Sequence, residues 1–233
     1  MPRPMPERRD PPVGWVRLRF TKLGPARFMS ARDVARLMER VLKRAGVPVA
    51  YSSGFSPHQR VSYAFPAPTG AASHAEYALV ALAATMAAEE VARRLGDVLP
   101  DGVGVWASAT GERHLASQLT ASRWSLTWPD PALLDDLAAA ASSFLAAGVV
   151  PVERHAKSGS SRQDVRAAVV SLSSGEGPAV TMVLRQGDPL IRPTDVAAGL
   201  ATFRPALSGA GSLLPVRLAQ GSLTPEGAVI DLP

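Results

Sequence analysis

The chain has 233 residues, 46% of them hydrophobic but only 6% aromatic, with a formal net charge of +5. That length and composition support one large domain or two ordinary ones, with a core rich in small residues. The absence of cysteine excludes disulfides, thiolate zinc sites and Cys-ligated iron–sulfur clusters, and accords with a cytoplasmic location; no apolar run reaches the roughly eighteen residues needed to span a membrane.

Residues 1–13 are proline-rich with mixed charge and read as a disordered arm, whose Arg3, Arg8 and Arg9 can touch an anion. Trp15 to Thr21 alternates, with Val16, Leu18 and Phe20 on one side and Arg17 and Arg19 on the other, as a half-buried strand does. After a Gly24-Pro25 turn, Ser30 and Asp33 make a helix start signal. Val34, Leu37, Met38, Val41, Leu42 and Ala45 then follow a helical period that Gly46 and Pro48 end. Strands are expected at Val49 to Ser52 and Val61 to Phe65, around a loop from Ser53 to Arg60, and again at Glu76 to Leu82. Thr85 is expected to cap a second helix carrying Val91, Leu95, Val98 and Leu99, before a strand at Val103 to Ala107.

The second half repeats this order. Arg123 to Trp128 alternates as a strand, Asp130-Pro131 opens a helix carrying Leu133, Leu134, Leu137, Ala141, Phe144 and Leu145, and Gly148 closes it. Strands are expected at Val149 to Arg154, Val165 to Leu172 and Ala179 to Arg185, a helix at Pro193 to Phe203, a strand at Leu213 to Ala219 and an edge strand at Val229 to Leu232. The expected fold is α+β: two tandem ferredoxin-like βαββαβ units, at 14–112 and 122–233, with Gly111 to Ala121 as the joint.

Charge is unevenly distributed over this plan. Thirteen of the 25 Lys and Arg residues lie in the first sixty positions, against four Asp and Glu. Arg32, Arg36, Arg40 and Arg44 recur every fourth residue along the first helix, with Lys43 beside them. Like charges at that spacing repel by roughly 0.2–0.5 kcal/mol per pair. A polyanion opposite would offset this, and forked guanidinium donors suit phosphate. The plain alternative is a solvated helix face helped by a Glu39–Lys43 pair.

The loop from Ser53 to Arg60 is the second candidate. Gly54 permits a turn or close approach, Phe55 offers a face for an unstacked base, and His58 and Arg60 add a titratable group and a fixed cation. The alternative is a tight turn whose Phe fills the core. The Gly/Ser-rich hairpin from Arg154 to Arg162 carries Lys157 and Arg162, with Arg166 just beyond, and can close on a phosphate backbone or stand as a plain exposed hairpin. Trp106, Trp124 and Trp128 fit strand patterns and are expected in the core or on a sheet face.

The catalytic inventory is thin. His58, His74, His114 and His155 lack ligand spacing, so no metal site is expected, and no cofactor motif appears. His58 and Tyr63 are the candidate catalytic residues, with Asp33 expected to cap its helix.

The segments Arg17 to Phe20, Gly24-Pro25, Phe28 to Asp33, Arg44 to Pro48, Tyr51 to His58, Ser62-Tyr63, Pro68 to Gly70 and Glu76-Tyr77 together resemble the radical SAM-linked protein family, a domain of unknown function encoded beside, or fused behind, cobalamin-binding-type radical SAM proteins. Arg162 to Arg166 and Ile191 to Pro193 fit its second half more weakly. The resemblance implies a radical SAM partner and an RNA or other substrate for the pair. It implies no reaction, and Ala31 stands where that family usually carries histidine. The leading expectation is therefore an accessory, RNA- or substrate-binding protein working with a radical SAM enzyme. An RNA-processing enzyme of tandem ferredoxin-like fold and a pure protein-interaction module stay open beside it.

Overall fold

A computed structural model describes residues 10–110, 114–156, 159–175, 177–208 and 213–232, with the side chains of 155 and 156 outside that description. The first nine residues of the arm and Lys157 are likewise outside it. The chain is α+β and divides into two compact units, each with the ferredoxin-like order of elements.

The first unit runs β1 (Gly14–Lys22), α1 (Ala31–Arg44), β2 (Val61–Tyr63), β3 (Ala72–Leu82), α2 (Ala88–Gly96) and β4 (Val105–Ala109). Its strands lie in the order β4-β1-β3-β2, antiparallel throughout. Alternation decides which face of β1 is covered: Val16, Leu18 and Phe20 are buried against Val34, Met38, Val41 and Leu42 of α1 and Val91 and Leu95 of α2. Arg17 and Arg19 take the opposite face by the two-residue period.

Both ends of α1 are specified locally. The Ser30 hydroxyl accepts from the Asp33 amide at 3.2 Å, and the Asp33 carboxylate accepts from the Ser30 amide at 3.1 Å. Such a cap contributes about 1 kcal/mol. At the other end Gly46 adopts φ 64°, Gly46 N–H reaches Lys43 C=O at 3.2 Å and Val47 N–H reaches Leu42 C=O at 3.1 Å. These two bonds form a Schellman motif that satisfies the last carbonyls.

Two local expectations change. Val49 to Ser52 is not a strand: it makes bridges only, Val49 with Leu82 and Tyr51 with Gln59, because Pro48 and the loop at 53–57 leave too short a run to pair. Thr85 does not cap α2, whose first turn follows Ala87 with no side-chain cap and carries Glu89 and Glu90 instead. Acidic residues there offset the helix dipole without a cap.

The second unit runs β5 (Ala121–Thr127), α4 (Leu134–Ala146), β6 (Pro151–Ala156), β7 (Gly159–Asp164), β8 (Val169–Ser174), β9 (Ala179–Arg185), α5 (Pro193–Phe203), β10 (Leu214–Leu223) and β11 (Val229–Asp231), after a short helix α3 (Leu115–Gln118). The strands lie in the order β10-β5-β9-β8, antiparallel, with β11 added to β10. Strands β6 and β7 form a separate hairpin inserted between α4 and β8. Of the single strand expected from Val165 to Leu172, only Val169 to Leu172 is strand, in β8, and residues 165–168 turn the chain. Asp164 causes the break: its Oδ1 accepts from Val150 N–H at 2.9 Å and Arg166 N–H at 3.0 Å, turning the chain between β7 and β8.

Trp124 and Trp128 are buried in this unit with Leu126, Leu137, Phe144, Val196 and Leu200, as their strand and helix patterns imply. Among the described residues no helix is long and apolar enough to cross a membrane.

Candidate functional site

The burial stripe of α1 fixes where its charges go. Val34, Met38, Val41 and Leu42 face the core, so Arg32, Arg36, Arg40, Lys43 and Arg44 lie exposed on the rest of the helix. From Arg32 to Arg44 the row covers about 18 Å of helix axis at the usual rise. Among the described residues, none of the five comes within ion-pair distance of a carboxylate. The Glu39–Lys43 pair expected from spacing is absent from the described contacts. Asp33 is occupied by its cap: the Ser30 hydroxyl and amide hold its carboxyl below the ordinary value, with Arg36 and Arg32 adding to the effect.

Helix α2 in the same unit is a built-in contrast. Arg93 meets Glu90 at 2.8 Å and Asp97 at 3.3 Å, and Arg94 meets Glu90 at 2.6 Å. Bonds from Arg93 and then Arg94 lower the Glu90 carboxyl to about 2. One helix neutralises its arginines and the other does not.

The loop at 53–57 stands beside α1. Gln59 Nε2 donates to the Glu39 carbonyl at 3.3 Å, tying the loop's base to the middle of the helix. Ser52 and His58 close the loop: Ser52 N–H donates to the His58 carbonyl at 2.9 Å, His58 N–H to Ser52 Oγ at 3.2 Å, and Ser52 Oγ lies 3.0 Å from His58 Nδ1. Gly54 takes φ 122° at the tip, a conformation open to glycine. Phe55 is 69% exposed, so it does not fill the core. Arg60 is exposed and lies over the Trp15 ring, 5.6 Å from its centre.

Tyr63 is placed differently from His58. Its hydroxyl is buried with no hydrogen-bond partner among the described residues, and burial, then the Glu39 charge, push the phenol well above its ordinary value. Tyr63 lines a small cavity of about 100 Å³ with Phe20, Val34, Glu76 and Tyr77, and Ala31 opens onto it. The residue at 31 thus faces a polar-edged cavity.

Near that cavity Lys22, 1% exposed, gives its ammonium to the carbonyls of Ala67 and Pro68 at 3.0 Å each and of Met29 at 3.4 Å. Glu76, 3% exposed, accepts from the Ala67 amide at 3.1 Å. These two charges clamp the 66–68 segment onto β1 and β3.

In the second unit the expected basic residues separate. Arg166 donates to the Val169 carbonyl at 3.0 Å and the Leu145 carbonyl at 3.4 Å, so its guanidinium braces β8 against α4. Arg154 pairs with Asp195 and donates to the Leu190 carbonyl at 2.9 Å, which braces the hairpin against α5. Arg162 is exposed on β7.

Two relationships were missed by sequence reasoning. Trp106 on β4 is on a sheet face but 57% exposed, with the Arg19 guanidinium 5.9 Å from its ring centre. Arg19 and Trp106 are direct cross-strand partners, which only register reveals. Arg185 ends β9 beside Arg162 in a common groove. Among the described residues no group of three or more His, Asp or Glu is arranged to hold a metal.

These features define a protein of two ferredoxin-like units whose first unit presents an unpaired basic helix next to an exposed aromatic loop. The chain belongs to the bacterial family described as "Uncharacterized protein conserved in bacteria (DUF2344)", whose model matches residues 15–193. No curated protein matches it in sequence. Among solved structures it is similar to the first two RRM domains of the yeast poly(U)-binding protein Pub1, at 10% identity and TM-score 0.23, covering 88% of this chain and 99% of that one. It is similar also to an unknown protein from Galdieria sulphuraria, at 12% identity and TM-score 0.24, covering 87% and 95%. The three N-terminal RNA-binding domains of the yeast splicing factor Prp24 match at 11% identity and TM-score 0.26, covering 90% and 68%.

Proposed function

We propose that the protein is a cytoplasmic RNA-binding accessory factor without catalytic activity of its own, which holds the phosphate backbone of a single-stranded segment along α1. The observation that carries this reading is the unpaired row Arg32, Arg36, Arg40, Lys43 and Arg44, set against the fully paired arginines of α2. Guanidinium forks give charge-assisted bonds to phosphate oxygens. The loop adds Phe55 as a stacking face and His58 and Arg60 as polar contacts, the combination that single-strand binders use.

The family resemblance supports a radical SAM enzyme as the partner that acts on the bound RNA. A chain without cysteine leaves the cluster of such chemistry to that partner.

The test is RNA binding by the purified chain at low salt, compared with Arg36→Glu plus Arg40→Glu. Affinity should fall at least tenfold, which is about 1.4 kcal/mol. Unchanged affinity would remove the ridge as the RNA site. Retention of an acidic protein in place of RNA would favour the interaction-module reading, and RNA cleavage lost on His58→Ala would favour the enzyme.

A further inference from the structure

The second unit contains a groove that the ridge reading does not use. It has a volume of about 470 Å³ and lies between β7 and the segment that follows β9, a size within the roughly 300–1,000 Å³ of small-ligand sites. Arg162 and Arg185 line it, both exposed. Among the described residues neither guanidinium meets a carboxylate or a carbonyl. Two fixed cations from different strands line one groove, neither of them held by a carboxylate among the described residues, and together they leave a position for an anion.

The rest of the lining asks for hydrogen-bond donors. Gln163 lines the same groove, and its side-chain oxygen is buried with no partner among the described residues. A buried acceptor left unmade costs about 1–3 kcal/mol, which favours a turn of the Gln163 amide that brings this oxygen to a ligand donor in the groove. Asp188 adds an exposed carboxylate with no partner among the described residues. Asp164 also lines the groove but is committed to the amides of Val150 and Arg166, so it does not compete for the arginines. Ala167 and Ile191 contribute apolar surface.

We propose that this groove binds a nucleotide unit: a phosphate on Arg162 and Arg185, and a base whose amino group meets Gln163 and Asp188. The pattern of two donors of fixed charge, two acceptors and an apolar lining matches a phosphorylated sugar bearing an amino-substituted ring. The unit is either a free nucleotide or one residue of an RNA chain, since both present the same groups. The site is independent of the α1 ridge and stands if that one fails.

The test uses the full chain, with AMP, GMP, CMP, UMP and ribose 5-phosphate titrated separately and the binding site mapped by amide chemical shifts. AMP, GMP or CMP should shift the amides of 162–168 and 185–191, and ribose 5-phosphate should bind at least tenfold more weakly. Arg162→Ala with Arg185→Ala should reduce nucleotide affinity at least tenfold. Gln163→Leu with Asp188→Ala should bring the amino-bearing nucleotides down to the level of UMP. Arg36→Glu with Arg40→Glu should leave all of this unchanged. In the Arg36→Glu plus Arg40→Glu background, which weakens the ridge, a heptanucleotide of the same base gaining tenfold or more over the mononucleotide at 162–168 and 185–191 assigns the unit to RNA, and no gain assigns a free nucleotide. Shifts confined to other segments, equal binding of ribose 5-phosphate, or full affinity in the Arg162/Arg185 double variant would overturn the proposal.

Discussion

Gln59 donates its side-chain amide to the backbone carbonyl of Glu39 at 3.3 Å. That bond fixes an otherwise exposed loop to the outer face of α1, between the turns that carry Arg36 and Arg40. It holds the base of the loop that carries Phe55 against the basic helix. Replacing Gln59 with Ala should free the loop while leaving the core intact. The net cost should stay near 1 kcal/mol or below, because the Gln59 oxygen is itself buried with no partner among the described residues. Hydrogen exchange at 53–58 should accelerate with little change in melting temperature. Exchange that stays slow would mean the Ser52–His58 bonds hold the loop alone.

The ridge makes a prediction about salt that no ordinary solvated helix makes. Five cations neutralising five phosphates give a log–log slope of about −3.5 for a single strand, and the Arg36→Glu plus Arg40→Glu variant should flatten it by about 1.4. Fluorescence anisotropy across a salt series reads both. A wild-type slope near zero would point to an apolar contact in place of a charged one.

How much of this was legible before the structure depends on the range of the interaction. The ends of α1 were readable because Ser30, Asp33 and Gly46 act within a turn of the chain. The outward position of Arg32 to Arg44 followed from the same period. What sequence could not supply was long-range placement. Arg154 and Arg166 read as hairpin cations, but Asp195 and the carbonyls of Leu190, Val169 and Leu145 claim them. Trp106 read as buried or face-lying by strand period, and only the β1–β4 register puts it beside Arg19. Arg185 is unremarkable as a strand terminus until folding brings it to Arg162. The missing strand at Val49 to Ser52 is a failure of propensity alone: the residues suit a strand, but Pro48 and the loop at 53–57 leave too short a run to make more than bridges.

Acid should loosen α2 in a way that one substitution can isolate. The Glu90 carboxyl titrates at about 2 in the folded chain, against 4.5 as its ordinary value, because of Arg93 and Arg94. A depressed carboxylate stabilises the fold above the unfolded value, and that stabilisation is lost as pH falls toward the folded one. Melting temperature should therefore drop between pH 4.5 and 2 more steeply in the wild type than in Glu90→Gln. Asp33 shifts in the same direction, so part of the acid dependence should remain in the variant. Parallel curves would show that the Glu90 pairs, which are solvent-exposed, contribute nothing measurable.

Lys22 is the buried charge on which the 66–68 segment depends. Lys22→Met keeps the length of the side chain but removes the donor to Ala67 and Pro68. Leaving buried acceptors unmade should cost on the order of 1–3 kcal/mol, seen as a lower urea midpoint with an unchanged slope. A neutral result would mean that water replaces the ammonium at these carbonyls.

Gly199 sets two effects of opposite sign against each other. It sits inside α5, where alanine is intrinsically preferred by about 1 kcal/mol. A Cβ there would lie 2.9 Å from Val165 Cγ2, 3.0 Å from Phe144 Cε2 and 3.1 Å from Val150 Cγ1. All three are buried, so none can swing into solvent, and overpacking of this kind costs about 1–3 kcal/mol. The collision should win, and Gly199→Ala should destabilise the chain despite its better helix propensity. Pairing it with Val165→Ala, which removes the nearest methyl, should recover part of the loss. A gain in stability from Gly199→Ala alone would show that α5 can move away from α4, and that the close contact between them is not required by the fold.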